Sequence, residues 1–146
     1  MMDTSTGYLL GRFVFELDRA GDHLLQTHVG ISYRRFLFLT VLQHSGTVTQ
    51  HELAVALGYS DPAVSTMLVE LARDGYVQTT PSKTHGRKRL VTITPQGNEV
   101  VAEGRRLLDT HFDQLMDLAS VDAQQLRELT ERLHQALMSK MKKEKP

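Results

Sequence analysis

The sequence predicts a mainly α protein with a small β wing, in which a winged helix-turn-helix lies between long N- and C-terminal helices. Between Gly46 and Pro95, two short helical segments joined by a tight turn precede two strands and a polar hairpin. The stretches on either side carry apolar residues at three- and four-residue steps, the spacing of amphipathic helices. No apolar run approaches the roughly 18 residues that a membrane-spanning helix needs.

Composition narrows the class of protein. With 146 residues, 40% hydrophobic and 23% charged, the chain is long enough for one compact domain with its own core. The absence of cysteine excludes disulfides, thiolate metal sites and thiol redox chemistry. The N-terminus lacks a basic segment followed by an apolar one, so no secretory signal is predicted. We therefore expect a cytoplasmic protein with no membrane partner.

Charge is unevenly distributed, although the formal net charge is zero. Residues 31–94 hold seven Lys and Arg against four acids, a surplus of +3, and the two flanks together carry −3. Four of the seven cations fall between Lys83 and Arg89, where there is no acid. A cationic surplus confined to one module is typical of a nucleic-acid-binding surface.

Two helices are predicted before the central module. Residues 8–27 have the apolar spacing of an amphipathic helix, which Gly30 ends, and Gly21 within it allows close packing or a bend. Ser32 can cap the next helix, which runs to about residue 44. This second helix is apolar nearly all round, so we expect it to be buried.

A helix-turn-helix follows. Residues 47–48 form at most a minimal strand, and residues 49–52 match the capping box that begins a helix. This helix ends at Gly58, which supplies the tight turn. Ser60 can cap the second helix, which stops near residue 74.

The first turns of this second helix carry small polar residues on the outward face, as a DNA-reading helix requires. Hydroxyl groups can bond bases or phosphates, and a helix N-terminus favours a phosphate. The candidate recognition residues are Ser60, Asp61, Pro62, Ser65 and Thr66. The alternative is that Ser60 is only a cap and that the others are ordinary exposed surface. This helix has no Lys or Arg before Arg73, and the Asp61 carboxylate repels phosphate. We therefore expect the wing to contribute more of the affinity for DNA.

The wing is predicted from two strands, over residues 76–80 and 87–94, that are rich in β-formers. A cationic hairpin tip suits the narrow, negative minor groove. The candidate wing residues are Lys83, His85, Arg87, Lys88 and Arg89. A solubilising charged loop is the alternative.

Two further helices are predicted in the C-terminal third of the chain. The first runs from Pro95 to about residue 120, and Gly104 within it indicates the close approach of a neighbour. Asp122 can cap the last helix, whose leucines have heptad-like spacing. The long terminal helices have more apolar surface than the module can cover, so we expect a homodimer.

The order and spacing of these segments resemble the MarR family of transcriptional regulators. The matching blocks are Thr49–Gly58, Ser60–Leu71, Gly75–Val77 and the Ile93–Gly97 ending. The resemblance implies a winged helix-turn-helix over 31–94 that binds double-stranded DNA at a pseudo-palindromic operator. It also implies a helical dimerisation region, discontinuous over 1–30 and 95–146, and a regulator that is most often a repressor. No cofactor is implied.

The resemblance also implies a small aromatic or anionic effector, bound between the terminal helices and the winged helix. The residues at the positions that the family uses for such a pocket are Phe13, Leu17, Tyr33, Arg34 and Phe36. A phenol and a guanidinium beside apolar walls suit an aromatic carboxylate. The alternative is that these aromatic residues are plain core.

The wing departs from the family pattern, which often reads Asp-x-Arg. Here His85 takes the place of the Asp and Arg87 that of the Arg, so the carboxylate that orients the arginine is missing. Arg34 and Arg35 are a further open case. They either contact phosphate or a ligand, or they form surface charge or salt bridges to the acidic flanks.

Other functions find less support. An enzyme is not predicted, because position 62 is Pro where a nucleophile elbow needs Gly, and position 55 is Val where a second zinc ligand would stand. A metal site would need Asp22, His23, His28, Glu103 and His111 to meet across helices. The alternative function is a winged-helix protein-interaction module without a DNA role, which would need an apolar recognition face and a neutral wing.

Overall fold

The computed structural model describes residues 5–84 and 88–145. Six helices and three short strands follow one another in these ranges. They are α1 (Thr6–His28), α2 (Tyr33–Ser45), β1 (Val48–Thr49), α3 (Gln50–Leu57), α4 (Asp61–Arg73), β2 (Val77–Pro81), β3 (Arg89–Ile93), α5 (Pro95–Ala119) and α6 (Ala123–Glu144). The predicted class, mainly α with a small β wing, is confirmed.

The chain forms two compact units, one that ends at Leu108 and one that begins at Asp109. The first unit holds α1 to α4, the three strands and the first half of α5. The second holds the rest of α5 and all of α6. The domain boundaries near residues 30 and 95 stay a prediction.

Side-chain caps begin the helices, as the sequence predicts. Ser32, Ser60 and Asp122 each accept a hydrogen bond from a backbone N–H three residues later. Thr49 and Glu52 form the complete capping box, with Glu52 N–H donating to Thr49 Oγ1 at 3.1 Å and Thr49 N–H donating to the Glu52 carboxylate at 2.8 Å. The bond from Thr49 N–H is the main reason that the pKa of Glu52 is lowered. Local sequence thus sets where these helices begin.

The sheet is antiparallel with the order β1-β3-β2. Val91 in the central strand pairs with Val48 on one side and with Thr79 on the other. Val77 and Val91 are buried, so the sheet faces the core along β2 and β3. The minimal third strand is confirmed at β1.

Every element of the first unit contributes to one hydrophobic core, with α2 contributing most and β1 only the half-buried Val48. The fully buried residues include Leu25, Ile31, Phe38, Leu39, Leu42, Leu53, Val64, Leu71, Val91 and Val101. The expectation that α2 is buried all round is wrong for Leu37, which is 39% exposed. Helix α2 packs on α1, α3 and β3, and these neighbours leave the side that carries Leu37 open.

Two helical glycines mark close packing within the first unit, as predicted. A Cβ on Gly104 in α5 would lie 2.7 Å from the Phe36 ring and 3.0 Å from Leu25 Cδ2. A Cβ on Gly21 in α1 would lie 3.4 Å from Leu108 and 3.6 Å from the Tyr33 ring. Of these two glycines, only Gly104 lies too close to its neighbours to accept a side chain.

Large apolar side chains remain exposed on the first turns of α1 and along α6. On α1 they are Tyr8, Leu9, Leu10, Phe13, Val14 and Phe15, and on α6 they are Leu129, Leu133, Leu137, Met138 and Met141. No described residue of α6 is buried. Among the described residues, no helix is long and apolar enough to cross a membrane.

Candidate nucleic-acid interface

Helix α4 buries one side in the module and exposes the other. Val64, Leu68 and Leu71 are buried, whereas the opposite side presents Asp61, Pro62, Ser65, Thr66 and Val69 to solvent. Steps of three and four residues place the exposed set on one face. The structure therefore brings the predicted Asp61, Pro62, Ser65 and Thr66 together. Ser60, also exposed, caps the helix by accepting from Ala63 N–H at 3.3 Å.

The two hydroxyls in the middle of this face differ. Thr66 Oγ1 donates to the Pro62 carbonyl oxygen at 3.1 Å, so its proton is used within the helix and its oxygen remains an acceptor. Ser65 Oγ has no hydrogen-bond partner among residues 5–84 and 88–145, so it is free to donate to a base or phosphate. Ser65 is therefore the better donor of the two.

A histidine that sequence reasoning did not select stands beside Asp61. His51 Nδ1 in α3 lies 3.2 Å from Asp61 Oδ1, and both side chains are largely exposed. The pair borders a cleft of about 300 Å³ that is lined by Thr49, Gln50, His51, Asp61, Lys88 and Arg89. This cleft joins the N-termini of α3 and α4 to the base of the wing. Nothing in the sequence pairs His51 with a residue ten positions later.

The described part of the wing keeps its cations in solvent. Lys83, Lys88 and Arg89 are exposed, and Arg89 donates to Thr79 Oγ1 at 3.1 Å across the β2–β3 pair. Ser82 N–H donates to the Lys88 carbonyl oxygen at 2.8 Å, which extends the ladder past the strand ends. His85 and Arg87, the other two predicted wing residues, lie outside the described residues.

The first turn of α2 contacts three different elements. Tyr33 N–H donates to Asp22 Oδ1 of α1 at 2.8 Å. The Arg34 guanidinium lies 4.7 Å from the centre of the Tyr59 ring, in the turn between α3 and α4. Arg35 forms an ion pair with Asp74, which caps the C-terminus of α4. Both ends of α4 are thus tied to α2, which in turn is bonded to α1.

The Arg35–Asp74 pair resolves one of the open alternatives. Arg35 forms a salt bridge, but with an acid of the module rather than with one of the flanks, and its side chain is only 19% exposed. The hydrogen bond from Arg35 is the main reason that the pKa of Asp74 lies below its ordinary value. The sequence showed Asp74 only as a helix stop, because its partner lies 39 residues away.

Replacing Asp74 with Asn is expected to lower stability at pH 7 and to matter less in acid. The folded-state pKa of Asp74 lies below its ordinary value of 3.8, so its charge stabilises the fold above that pH and ceases to do so as the pH falls through the lowered pKa. Urea denaturation at pH 7, 4 and 3 would measure this, with the exposed Asp113→Asn as the control. A deficit of the same size at every pH would contradict an ionic role for Asp74.

The five residues of the predicted effector pocket lie on α1 and α2. Phe13 is exposed, Leu17 and Tyr33 are half-buried, and Phe36 is buried against Gly104. Burial raises the pKa of Tyr33, and Asp18 beside it adds to the effect. Since Arg34 stacks on Tyr59, its guanidinium already has a partner. The pocket stays a prediction. In the described ranges, no group of three or more His, Asp or Glu is placed to hold a metal ion.

Comparison with known proteins identifies the segment that carries this surface. Residues 29–88, from the end of α1 to the start of β3, match the model of the MarR family. Over this segment the chain is similar to the MarR family. The match includes all of α3 and α4, and therefore the whole exposed face of the candidate recognition helix.

The sequence relatives of this chain are mycobacterial. An HTH-type transcriptional regulator of Mycobacterium tuberculosis is 30% identical over 76 residues, which are 52% of this chain and 53% of that protein. An uncharacterized HTH-type transcriptional regulator of Mycobacterium leprae matches with the same identity and shares. The chain thus spans about half the length of the curated relatives it matches.

Solved structures extend the likeness in fold to nearly the whole chain. Wild-type MarR from E. coli in its apo form superposes with a TM-score of 0.79 at 22% identity, over 94% of this chain and 99% of that one. MepR of S. aureus, solved as a complex with DNA, has a TM-score of 0.74 at 21% identity, over 94% and 99%. These matches confirm the predicted winged helix with its flanking helices as a fold.

Proposed function

We propose that this MarR-family chain is a sequence-specific, double-stranded DNA-binding transcriptional regulator that acts as a homodimeric repressor. The observation that carries the proposal is the exposed, hydroxyl-bearing face of α4 beside a cationic wing. An α-helix fits the major groove of B-DNA, and a hairpin at its side reaches the adjacent minor groove or backbone. Relatives described as HTH-type transcriptional regulators and a MepR–DNA complex support the same assignment.

The charges favour DNA over a protein partner. Lys83, Lys88 and Arg89 are exposed at the wing, where each can replace a counterion on a phosphate. A protein-interaction module would instead present an apolar recognition face beside a neutral wing. On the exposed face of α4 the one large apolar side chain is Val69. The protein-interaction alternative therefore lacks the surface that it needs.

A homodimer explains the apolar side chains that the chain leaves in solvent. Phe13 and Phe15 on α1 are 46% and 61% exposed, and Leu133 and Leu137 on α6 are 62% and 53% exposed. Apolar stripes of this length are covered when the terminal helices of two chains pack together. A two-fold dimer would carry two recognition helices to successive major grooves about 34 Å apart, on a pseudo-palindromic operator.

Release by a small aromatic or anionic ligand is the part of the proposal that rests on family membership. The contacts in the first turn of α2 add a physical reason, since α2 connects α1 to both ends of α4. A ligand that moved α1 or α2 would therefore change how α4 is presented.

The proposal is tested by selecting bound sequences from a pool of random duplexes. We expect an inverted repeat, bound by a dimer in sedimentation experiments, with an affinity that falls at least about 10³-fold between 50 and 200 mM salt. A parallel selection without protein is the control. Recovery of no common sequence, together with an affinity that is independent of salt, would exclude the proposed function.

A further inference from the structure

Val69 is the one large apolar side chain on the exposed face of α4. It is 67% exposed and lies one turn after Ser65 and Thr66, at steps of four and three residues. It therefore adds nothing to the buried side of the helix, which is formed by Val64, Leu68 and Leu71. A single exposed valine is common on protein surfaces, so its importance depends on its position beside the two hydroxyls.

The other groups on this face limit which bases it can read. Arginine and lysine make the commonest specific contacts to guanine, but α4 has neither before Arg73 in its last turn. Thr66 already donates its hydroxyl proton to the Pro62 carbonyl oxygen, so it can accept but not donate. Beyond the Asp61 carboxylate at the N-terminal end of the face, what remains is one free hydroxyl, one acceptor and the isopropyl group of Val69. Such a face suits the methyl-bearing edge of an A·T pair better than the acceptor-rich edge of guanine.

We propose that Val69 is a specificity-determining residue that contacts the C5-methyl group of a thymine in the major groove. The contact is apolar, and the β-branched side chain has one strongly preferred rotamer in a helix, so little side-chain freedom is lost on binding. This inference rests on the proposed function and deepens it, since it names the base chemistry that the recognition helix selects.

The test removes the methyl group from the DNA. A duplex selected from the random pool is resynthesised with dU in place of dT, one position at a time within one half-site. Uracil pairs as thymine does but lacks the C5-methyl group. We expect one position at which the substitution weakens wild-type binding about three- to fivefold, the factor for losing one buried methyl-sized group.

The protein variants decide whether Val69 makes that contact. Val69→Ala is expected to bind the dT and dU duplexes equally, while it still prefers the selected sequence over random DNA. Val55→Ala is the matched control, because Val55 is 68% exposed on α3 and has the same side chain. It is expected to keep the thymine preference. Circular dichroism of both variants should match the wild type.

The outcomes separate this inference from the proposed function. If the wild type binds the dT and dU duplexes equally at every position, or if Val69→Ala keeps the preference, the assignment of Val69 is overturned and DNA binding stands. If no sequence is selected from the random pool, the proposed function is wrong and this inference falls with it.

Discussion

Replacing Gly97 with Ala is expected to lower the free energy of unfolding by about 3 kcal/mol or more, the upper range for an added group in a packed site. A Cβ at this position would lie 2.3 Å from the Tyr76 carbonyl oxygen and 2.7 Å from Ile93 Cγ1. Both separations are shorter than any van der Waals contact. The Tyr76 carbonyl oxygen is a backbone atom, so it cannot avoid the clash by a change of rotamer.

Hydrogen bonds hold that backbone in place. The Tyr76 carbonyl oxygen accepts from Thr94 N–H at 3.0 Å. Thr94 Oγ1 donates to the Gly75 carbonyl oxygen at 2.6 Å and accepts from Gly97 N–H at 3.1 Å. Thr94 thus joins the two residues just before β2 to the first turn of α5, next to Gly97. Relief of the clash would require at least one of these bonds to break.

Urea denaturation followed by circular dichroism measures the loss. Glu99→Ala is the matched control, because it changes an exposed residue in the same turn of α5. We expect the control to stay within about 0.5 kcal/mol of the wild type. A Gly97→Ala variant as stable as the control would show that α5 can move away from the wing base without cost.

Features encoded by a few neighbouring residues were predictable from the sequence. The capping box at Thr49 and Glu52 needs only residues three apart, and a helix must begin where its first N–H groups find such partners. The helix period likewise placed Ser65 and Thr66 on the face of α4 that the structure exposes. The predictions of these features agree with the structure because the features depend on backbone geometry and not on which residues pack nearby.

Contacts between distant residues were not predictable. Arg35 and Asp74 are 39 positions apart, and neither residue has a spacing that indicates the other. The same is true of His51 with Asp61 and of Arg34 with Tyr59. Whether two such groups meet depends on how α2 and α3 pack against α4, which a single sequence does not specify. The error at Leu37 has the same origin, since apolar character alone does not say which side of a helix is covered.

Val69 shows a subtler limit of reasoning from residue type. The helix period that selected Ser65 and Thr66 also places Val69 on their face, one turn later. Residue type alone assigns polar side chains to a DNA surface and apolar ones to the core, so it does not indicate Val69. An apolar group can itself read a base through the thymine methyl. The face of the helix on which a residue lies therefore indicates a DNA contact better than its polarity does.

Reversing two wing charges is expected to have the largest effect on DNA binding. Lys88→Glu combined with Arg89→Glu should lower the affinity for the selected duplex at least about a hundredfold near 100 mM salt. In the proposed dimer the change removes four cations from the phosphate surface and adds four anions. The slope of log affinity against log salt should accordingly become less steep by about four.

The substitution should weaken binding without unfolding the protein. Lys88 and Arg89 are both exposed, and the side-chain bond from Arg89 to Thr79 is a surface contact of 3.1 Å. Exposed charge changes of this kind alter stability little, which circular dichroism of the variant would check. A loss of affinity would then report on the interface itself.

The control is a matched reversal on another element, Lys142→Glu combined with Lys143→Glu in the last turn of α6. It changes the net charge by the same amount, so it accounts for long-range attraction between the whole protein and DNA. We expect its affinity to stay within about threefold of the wild type near 100 mM salt, because salt screens a contribution that comes from net charge alone and involves no direct phosphate contact. Equal losses in the two double variants would mean that net charge, and not the wing, drives binding. A loss confined to Lys88 and Arg89, with the flatter salt dependence, would place the phosphate contacts at the wing.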